Sequence, residues 1–336
     1  MIKKNRSYSL LAHNTFGIDV ETELFVEFET EQELIELINE GIKPPVLVIG
    51  GGSNLLFMNN YSGTILHSRI CDIQTVEEND SEVYLRVGSG VEWDALVEYS
   101  ITNGMQGLEN LSAIPGEVGA SAVQNVGAYG VEAGELIHSV EAISLSDATK
   151  KIFLQKECAF AYRNSIFKKE EKGRNVITYV TYRLRKKNEY RVAYGNMLPK
   201  VEALGGLSAK NIRTVVCETR ADKLPSPSCL GSAGSFFMNP VVGVAIAQKL
   251  KERYPDMPQY ETPDGMVKLS AGWLIEQCGW KGKHIGNVGT YPKQALVIVN
   301  YGGATGAEVM AFAHAICKSV KETFGIELHP EVNAIG

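Results

Sequence analysis

Residues 107–130 read GLENLSAIPGEVGASAVQNVGAYG, a segment made largely of glycine, alanine, serine and apolar residues. Residues this small do not fill a hydrophobic core, but they let the backbone lie against a large flat or phosphorylated ligand. Apolar side chains such as Leu108, Leu111, Ile114 and Val118 recur through the segment, and a merely flexible loop would lack such anchors. The segment therefore predicts a ligand-binding turn mounted on a packed scaffold.

A second glycine-rich turn lies upstream. Val46–Ile49 is an apolar, strand-like run that leads into GGGSN at residues 50–54. Glycines free backbone N–H groups to approach a phosphate. The spacing differs from the Rossmann fingerprint, because Leu55 stands at the third glycine position, and no Gly-Lys-Ser/Thr follows as in a P-loop. Alone, this turn is most simply the end of a strand. Together, the two turns predict one dinucleotide cofactor bound outside a Rossmann fold.

The composition is that of an ordinary globular enzyme. A length of 336 residues predicts two or three domains, and the chain is 44% hydrophobic and 21% charged. Its net charge of −6 and pI of about 5.7 argue against a general nucleic-acid binder. The six cysteines form no CxxC pair, and neither they nor the histidines show metal-ligand spacing, so we expect reduced thiols and no metal.

The sequence was also compared with the patterns of signal peptides and transmembrane helices, and neither pattern is found. The polar start Met1–Thr15 lacks the apolar core of a signal peptide. No apolar run approaches the roughly 20 residues that a transmembrane helix needs. The sequence therefore predicts a cytoplasmic protein.

Periodicity indicates a mixture of strands and helices. Strands are predicted at Pro45–Ile49, Val83–Val87, Val140–Leu145, Val176–Leu184 and Ala295–Asn300. Helices are predicted after the capping box Thr30–Glu33 and at Trp93–Asn103, Val242–Tyr254, Ser270–Cys278 and Ala307–Phe324. Gly325 is expected to end the last of these helices. The pattern is typical of the α+β class, with a domain boundary in the region of residues 190–220.

Specific motifs then carry a resemblance. GGGSN at 50–54 together with IPGEVGASAVQNVGAYG at 114–130 resembles the FAD-binding domain of the vanillyl-alcohol-oxidase (PCMH) type. FAYRNSIFK at 160–168, AGSFFMNP at 233–240 and HPEVNAIG at 329–336 are similar, in this order, to the UDP-N-acetylenolpyruvoylglucosamine reductase family, and NTFG at 14–17 fits it too. The resemblance spans nearly the whole chain.

The resemblance implies an α+β architecture with an FAD-binding domain in two subdomains and a C-terminal α+β substrate-binding domain. The expected bounds are 1–70 for the first subdomain, 71–215 for the second and 216–326 for the substrate domain, with the tail 327–336 returning to the first subdomain. It implies FAD as the cofactor, with NADPH as the reductant. Covalent relatives attach flavin through a His or Cys, and neither appears within Gly50–Leu56 or Gly107–Gly130, so we expect noncovalent FAD. The residues that match the family's FAD-binding positions are Gly50, Gly51, Gly52, Ser53, Asn54, Leu55, Ile114, Pro115, Gly116, Gly119, Ala120, Ser121, Gln124, Asn125, Gly127, Ala128, Tyr129 and Gly130.

The resemblance also implies the chemistry. Hydride would pass from NADPH to FAD, and then from flavin N5 to C3 of the substrate's enolpyruvyl double bond. Ser235 would donate a proton to C2, while Arg163 and Glu331 would stabilise the negative charge that develops there. Positions that match the family's substrate contacts are Tyr162, Tyr194, Lys223, Asn239, Tyr260 and Gln294.

Three local features refine this expectation. The insertion Pro255–Lys268 carries Tyr260 and resembles the form of the family in which a tyrosine loop covers the substrate. The prolines around it favour a loop over Tyr254–Gly265. The chain departs from the family pattern at Met238, which is often lysine, and at Asn333, where relatives can carry arginine near the substrate.

Two other functions remain open from the residues. One is a flavin oxidase of the same cofactor-binding superfamily that acts on a sugar or alcohol, and the other is a nucleotide-sugar binding or sensor protein. The AGSFF segment and the tail glutamate argue against the oxidase, and intact Ser235, Arg163 and Glu331 argue against the sensor. We expect a small-molecule substrate, no nucleic-acid or membrane partner, and a monomer. The preference for NADPH over NADH and the resting position of the Tyr260 segment are not fixed by the sequence.

Overall fold

The computed structural model describes residues 2–187, 189–226, 229–262 and 264–336. The strands are β1 (Lys3–Ser9), β2 (Glu21–Phe28), β3 (Val46–Ile49), β4 (Leu55–Phe57), β5 (Tyr61–Ser68), β6 (Ile73–Glu78), β7 (Glu82–Gly88), β8 (Gly127–Ala128), β9 (Val131–Glu132), β10 (Ile137–Ser144), β11 (Lys150–Leu154), β12 (Asn175–Arg185), β13 (Gly231–Ser235), β14 (Val241–Val242), β15 (Gln259–Glu261), β16 (Val267–Leu269), β17 (His284–Ile285), β18 (Val288–Tyr291), β19 (Gln294–Asn300) and β20 (Asn333–Ile335). The α-helices are α1 (Glu31–Glu40), α2 (Trp93–Thr102), α3 (Val118–Gln124), α4 (Met197–Ala203), α5 (Ala209–Lys223), α6 (Val244–Arg253), α7 (Ala271–Gln277) and α8 (Gly306–Phe324).

The mixed α+β content predicted from periodicity is confirmed. α8 matches its prediction because Thr305 accepts a hydrogen bond from the amide of Glu308 at its start, and Gly325 adopts a left-handed φ of 69° at its end. At α1, Thr30 accepts from the amide of Glu33, as the capping box predicted. Within the described ranges, no helix is both long and apolar enough to cross a lipid bilayer.

The chain forms two compact units. Unit 1 contains the chain up to Tyr8, Thr22–Gly52 and Ser62–Arg220, and unit 2 contains Ser9–Glu21, Ser53–Tyr61 and Ala221–Gly336. Each glycine-rich segment begins in unit 1, whereas residues 53–54 of the first segment belong to unit 2.

Unit 1 is built around two sheets. One runs in the order β1-β2-β5-β3, with β3 parallel to β5, and β3 ends where the first glycine turn begins. The other runs β11-β10-β12-β7-β6 with antiparallel pairing. α2 and α3 contribute buried residues to the core beside this second sheet. Trp93 of α2 packs edge-on against Tyr182 of β12, with ring centroids 5.9 Å apart, and its indole N–H donates to the carbonyl of Leu111 at 2.8 Å. That bond ties the start of the second glycine-rich segment to the core.

α4 and α5 add a small core of their own to unit 1. Met197, Val201, Ile212, Val215 and Val216 are buried together. Tyr129, from the second glycine-rich segment, packs against this cluster. α5 is therefore fixed beside that segment by apolar packing as well as by the polar contacts described in the next section.

Unit 2 has its own sheets. One runs β13-β19-β18-β17, another runs β14-β16-β15, and β20 pairs in parallel with β4 so that Asn333 lies opposite Leu55. The inward face of α8 is buried, as its periodicity predicted, and Phe312 packs edge-on against Trp280 at 5.3 Å. The pairing of β20 with β4 returns the C-terminal tail to residues 53–61.

The structure corrects the loop predicted over Tyr254–Gly265. Gln259–Glu261 form β15, an edge strand in which Tyr260 lies opposite Lys268 of β16. Pro255 and Pro258 precede the strand and leave its three backbone amides intact, so they do not prevent pairing. Pro263, the third proline of the prediction, lies outside the described residues. The Tyr260 side chain is half-exposed on this hairpin.

Candidate active site

The two glycine turns approach each other within unit 1. A Cβ added to Gly51 would lie 3.4 Å from the Cα of Gly116. Gly52 and Gly116 have positive φ angles of 65° and 120°. A side chain at Gly52 or Gly116 would strain the backbone at these positive φ angles, whereas a Cβ at Gly51 would reach only ordinary van der Waals contact with the second turn. In the described part of the chain, the amides of Gly51, Gly52 and Gly116 donate to no other protein group. These amides are therefore available to an anionic ligand.

An open cavity of about 530 Å³ lies beside these turns. Its lining, all from unit 1, consists of Gly51, Arg69, Cys71, Gly90, Val91, Glu92, Gly116 and Glu117. This volume lies in the usual range for small-molecule sites, and a flat dinucleotide needs both the close backbone and the free amides. The residues present therefore fit FAD, the cofactor that the sequence predicts.

Two of the predicted cofactor residues turn their side chains into the protein. The Ser121 hydroxyl hydrogen-bonds to Val118 and to the phenol of Tyr182, each at 2.7 Å. The Asn125 amide donates to Glu132 and to the carbonyl of Ala161, and its oxygen accepts from Gly134, all at 2.8 Å. The predicted cofactor contact of Ser121 and Asn125 therefore falls to their backbone groups.

A polar clamp, which the sequence reasoning missed, holds the backbone just before Ile114-Pro115-Gly116. Ala113 has a φ of 57°, which costs a residue other than glycine about 1–2 kcal/mol. Its amide donates to Asp94 at 2.6 Å, and its carbonyl accepts from Nε of Arg220 at 3.1 Å. Arg213 in turn donates two hydrogen bonds to Asp94, at 2.6 and 2.8 Å. The clamp thus fixes both polar groups of one strained residue.

Electrostatics keep the clamp ionised. Burial alone would raise the pKa of Asp94, but hydrogen bonds from Arg213 and from the Ala113 amide outweigh it and hold that pKa below its usual value. The hydrogen bond to Asp94 raises the pKa of Arg213. No local motif marks these residues, because Asp94 on α2 and Arg213 on α5 are 119 positions apart. Only the folded chain brings them together.

We expect Asp94→Asn to weaken FAD binding by about 2- to 30-fold, because a loosened Ala113 no longer holds the glycine turn ready for the cofactor. The measurement is titration of the apoprotein with FAD. Glu141→Gln is the matched control, since it disturbs another bidentate pair, Arg86 with Glu141, away from the turn. Unchanged affinity in Asp94→Asn, or equal loss in the control, would argue against the clamp.

Arg163 lies in a tight turn of unit 1. The amides and carbonyls of Ala161 and Asn164 bond reciprocally across it, and Arg163 adopts a φ of 53°. Its Nη2 donates to the carbonyl of Gly127 at 2.8 Å, and its guanidinium lies 5.3 Å from the ring centroid of Tyr162. Strain of this kind at a residue other than glycine is typical of functional sites. Unit 1 therefore joins Arg163 and Tyr162 to the second glycine-rich segment.

Other predicted residues of unit 1 lie on the same segment. Tyr194 is half-exposed and packs edge-on against Tyr129 at 5.9 Å. Gln124 accepts a hydrogen bond from Lys168 at 2.8 Å, and Lys168 also donates to the carbonyl of Arg163 at 2.9 Å. Hydrogen bonds thus join the FAYRNSIFK motif at 160–168 to QNVGAYG at 124–130, as we expect if both motifs belong to one site.

Ser235 ends β13 in unit 2, after an irregularity in the pairing with β19. Gly234 adopts a left-handed φ of 67° there, which explains the glycine. Phe236 and Phe237 follow and are buried. Ser235 is part-exposed, and its hydroxyl makes no hydrogen bond to any residue in the described ranges. It is therefore held in place by its neighbours while remaining open to a ligand.

The C-terminal tail brings Glu331 to the same part of unit 2. The amide of Glu331 donates to the carbonyl of Phe236 at 2.8 Å, and the amide of Met238 donates to the carbonyl of His329 at 3.0 Å. Asn54, a predicted cofactor residue, donates to the carbonyl of Glu331 at 3.3 Å. Unit 2 thus gathers two of the predicted catalytic residues and one predicted cofactor residue.

The two departures from the family pattern have local structural roles. Asn333 donates through its side chain to the carbonyl of Asn54 at 3.2 Å, and its own amide donates there at 3.1 Å. Met238 is part-buried and pairs through its backbone with the tail. Neither position carries a charge, so any substrate anion must meet its cation elsewhere.

The remaining predicted substrate residues also lie in unit 2. Asn239 accepts from the amide of Ala271 at 3.0 Å at the start of α7, and a Cβ added to Gly272 would lie 3.0 Å from Oε1 of Gln294. These two amide side chains therefore both lie near the start of α7. Lys223 is exposed at the end of α5, and Tyr260 stands on β15.

Comparisons with known proteins agree with this arrangement. The family described as UDP-N-acetylenolpyruvoylglucosamine reductase, C-terminal domain, matches residues 226–335, and the one described as FAD binding domain matches residues 22–150. A crystal structure of UDP-N-acetylenolpyruvylglucosamine reductase from Thermus caldophilus covers 100% of this chain with a TM-score of 0.69 and 99% of its own chain. At 22% identity this likeness shows the fold. The predicted combination of an FAD-binding domain and a C-terminal α+β domain is confirmed.

Curated relatives are similar over almost their entire length. UDP-N-acetylenolpyruvoylglucosamine reductase of Bacteroides fragilis is 49% identical over 331 residues, which are 98% of this chain and 99% of the relative. The enzyme of the same name from Porphyromonas gingivalis is 46% identical over 334 residues, with 98% of each chain covered. On this evidence the chain belongs to the UDP-N-acetylenolpyruvoylglucosamine reductase family.

Proposed function

We propose that this chain is an FAD-dependent reductase that uses NADPH to reduce the enolpyruvyl group of UDP-N-acetylenolpyruvoylglucosamine, giving UDP-N-acetylmuramate for peptidoglycan precursor synthesis. The observation that carries this function is the 49% identity to the Bacteroides fragilis reductase over 98% of the chain. The paired glycine turns, with free amides beside a cavity, support the cofactor.

FAD held at the two glycine turns would supply the hydride chemistry that links NADPH to C3 of the enolpyruvyl double bond. The chain's own residues must provide a proton at C2 and stabilise the negative charge that develops there. We assign the proton to Ser235, because its hydroxyl is held between buried neighbours and remains available to a ligand. A serine hydroxyl is a weak acid, so transfer of its proton to C2 requires activation by neighbouring groups.

Charge stabilisation falls to Arg163 and Glu331. The guanidinium stays ionised and presents a planar fork that matches a carboxylate, and Gly127 and the tight turn orient it. Glu331 can hydrogen-bond an oxyanion if it carries a proton. Its backbone pairs with Phe236, the residue after Ser235, which supports a shared role for these two residues.

Substrate binding is assigned to the remaining predicted residues. We propose that Lys223 meets the diphosphate of the nucleotide sugar as a point charge. Tyr162, Tyr194 and Tyr260 can donate phenolic hydrogen bonds, and Asn239 and Gln294 offer amide groups at one end of α7. We further propose that the protein acts in the cytoplasm as a monomer, a location supported by its six free cysteines.

The flavin is expected to be bound without a covalent link. Cys71 lines the cavity, but burial raises the pKa of its thiol and its Sγ donates to the carbonyl of Gly90, so little thiolate is present. Denaturation with acid should release all of the yellow colour into the supernatant after centrifugation. Colour that sediments with the denatured protein would contradict this expectation.

Tyr260→Phe should raise the KM for the nucleotide sugar by about 10- to 150-fold, because a hydrogen bond to a charged group contributes about 1.5–3 kcal/mol. The KM for NADPH should change much less. Tyr301→Phe, at another half-exposed tyrosine of unit 2, is the control. Steady-state kinetics with each substrate varied in turn gives the comparison, and equal effects on both constants would count against a substrate contact.

The function is tested by asking which acceptor takes electrons from the NADPH-reduced protein. Rapid return of flavin absorbance with the enolpyruvyl nucleotide sugar, and slow return with oxygen, is the expected result. An oxidase would react quickly with oxygen and ignore the nucleotide sugar. A binding protein would show no return with the sugar nucleotide although it bound it.

A further inference from the structure

Arg220, near the end of α5, is a partly buried guanidinium with most of its donors unused. Its Nε donates to the carbonyl of Ala113 at 3.1 Å. Its two terminal amino groups donate to no residue in the described ranges, and it forms no ion pair with any of them. A guanidinium normally uses its fork in paired hydrogen bonds when it leaves water.

The surroundings of Arg220 leave its charge uncompensated. The nearby carboxylate, Asp94, already accepts both amino groups of Arg213. Burial lowers the pKa of Arg220, and the positive charge of Arg163 acts in the same direction. Two arginines that repel each other beside a glycine-rich segment form a field that favours an anion.

The position of Arg220 is set by unit 1 alone. Its one internal hydrogen bond goes to the strained residue that precedes Ile114-Pro115-Gly116, where a free amide also lies. Tyr129, at the other end of the same segment, is among the groups that act on its charge. The two terminal amino groups of Arg220 are thus held at the glycine turn. Their spacing suits two parallel hydrogen bonds to one phosphoryl group.

We propose that Arg220 binds a phosphoryl group of a nucleotide ligand through its two terminal amino groups. The proposal rests on the proposed function for its choice of ligands. Three compounds of that reaction carry phosphoryl groups: FAD and the nucleotide sugar in their diphosphates, and NADPH in its diphosphate and its 2′-phosphate.

The test measures binding in three separate arms for wild type, Arg220→Met and Arg220→Lys. FAD is titrated into apoprotein, while 2′,5′-ADP and UDP-N-acetylglucosamine are titrated into holoprotein by calorimetry. We expect Arg220→Met to weaken binding at least about 10-fold in one arm, and Arg220→Lys to recover part of it. The arm affected identifies which ligand supplies the phosphate.

Loss of the Ala113 bond could also loosen the turn, and Asp94→Asn separates that effect. Asp94→Asn disturbs Ala113 while leaving the two terminal amino groups of Arg220 in place. We therefore expect guanidinium, added at a concentration that does not denature the protein, to restore part of the binding lost in Arg220→Met and none of that lost in Asp94→Asn. Unchanged binding of Arg220→Met in all three arms, or an equal response of the two variants to added guanidinium, overturns the proposal. None of the three titrations requires turnover. If the wild-type protein is inactive but Arg220→Met still weakens phosphate binding, only the proposed function is contradicted.

Discussion

Replacing Ser235 by alanine is expected to slow the return of flavin absorbance on adding substrate by about 10²–10⁴-fold, the usual contribution of a general acid. Reduction of the bound flavin by NADPH should proceed at close to the normal rate. The reason is that hydride delivery creates charge at C2 only in the second half-reaction, and without a donor that charge has no proton to accept. Stopped-flow spectroscopy measures the two half-reactions separately.

Ser235→Cys is the matched variant. A thiol can donate a proton from nearly the same place, so part of the second half-reaction should recover. The neighbours Phe236 and Phe237 anchor the segment in both variants, and a similar melting temperature would show that the fold is kept. If flavin reduction slows as much as reoxidation, Ser235 acts on the cofactor or the fold instead.

Arg163→Lys should slow reoxidation by substrate by about 10²–10³-fold, the cost of removing one preorganised donor to a developing oxyanion. Lysine keeps the charge but lacks the planar fork, so it cannot hold Gly127 and a ligand in the same geometry. Flavin reduction by NADPH is again the internal reference. The same stopped-flow measurement gives both rates.

Arg86→Lys is the control for this substitution. Arg86 also makes bidentate hydrogen bonds, at 2.6 and 2.7 Å, but to Glu141 on the sheet of unit 1. Both half-reactions should be unchanged there. A comparable loss in the two variants would mean that Arg163 supports the fold and takes no part in the chemistry.

Each helix and strand that local signals in the sequence predicted is present in the structure, but helices α3, α4 and α5 and most of the short strands were not predicted. α8 is the clearest case, because its capping box, its apolar periodicity and Gly325 all agree. The Tyr260 segment was predicted as a loop from its prolines, but pairing of β15 with β16 decides its conformation. Strand pairing depends on a partner several residues away, which proline content does not report.

The residues of the candidate site also divide into those that a local sequence signal predicts and those that it does not. Glycine-rich segments and the motifs around Arg163, Ser235 and Glu331 carry a local signal. The Asp94, Arg213 and Arg220 clamp carries none, since it joins residues on α2 and α5 to a loop between them. The inward direction of Ser121 and Asn125 was equally hidden, because it depends on Tyr182, Glu132 and Gly134 as partners.

The central claim is that NADPH oxidation is coupled to reduction of the enolpyruvyl group. The most direct measurement is an anaerobic reaction of the purified protein with NADPH and UDP-N-acetylenolpyruvoylglucosamine, followed by absorbance for NADPH and by mass spectrometry for the sugar nucleotide. We predict equal amounts of NADPH oxidised and of a product heavier by two hydrogen atoms. NADPH oxidation that needs oxygen, or that leaves the sugar nucleotide unchanged in mass, would contradict the account.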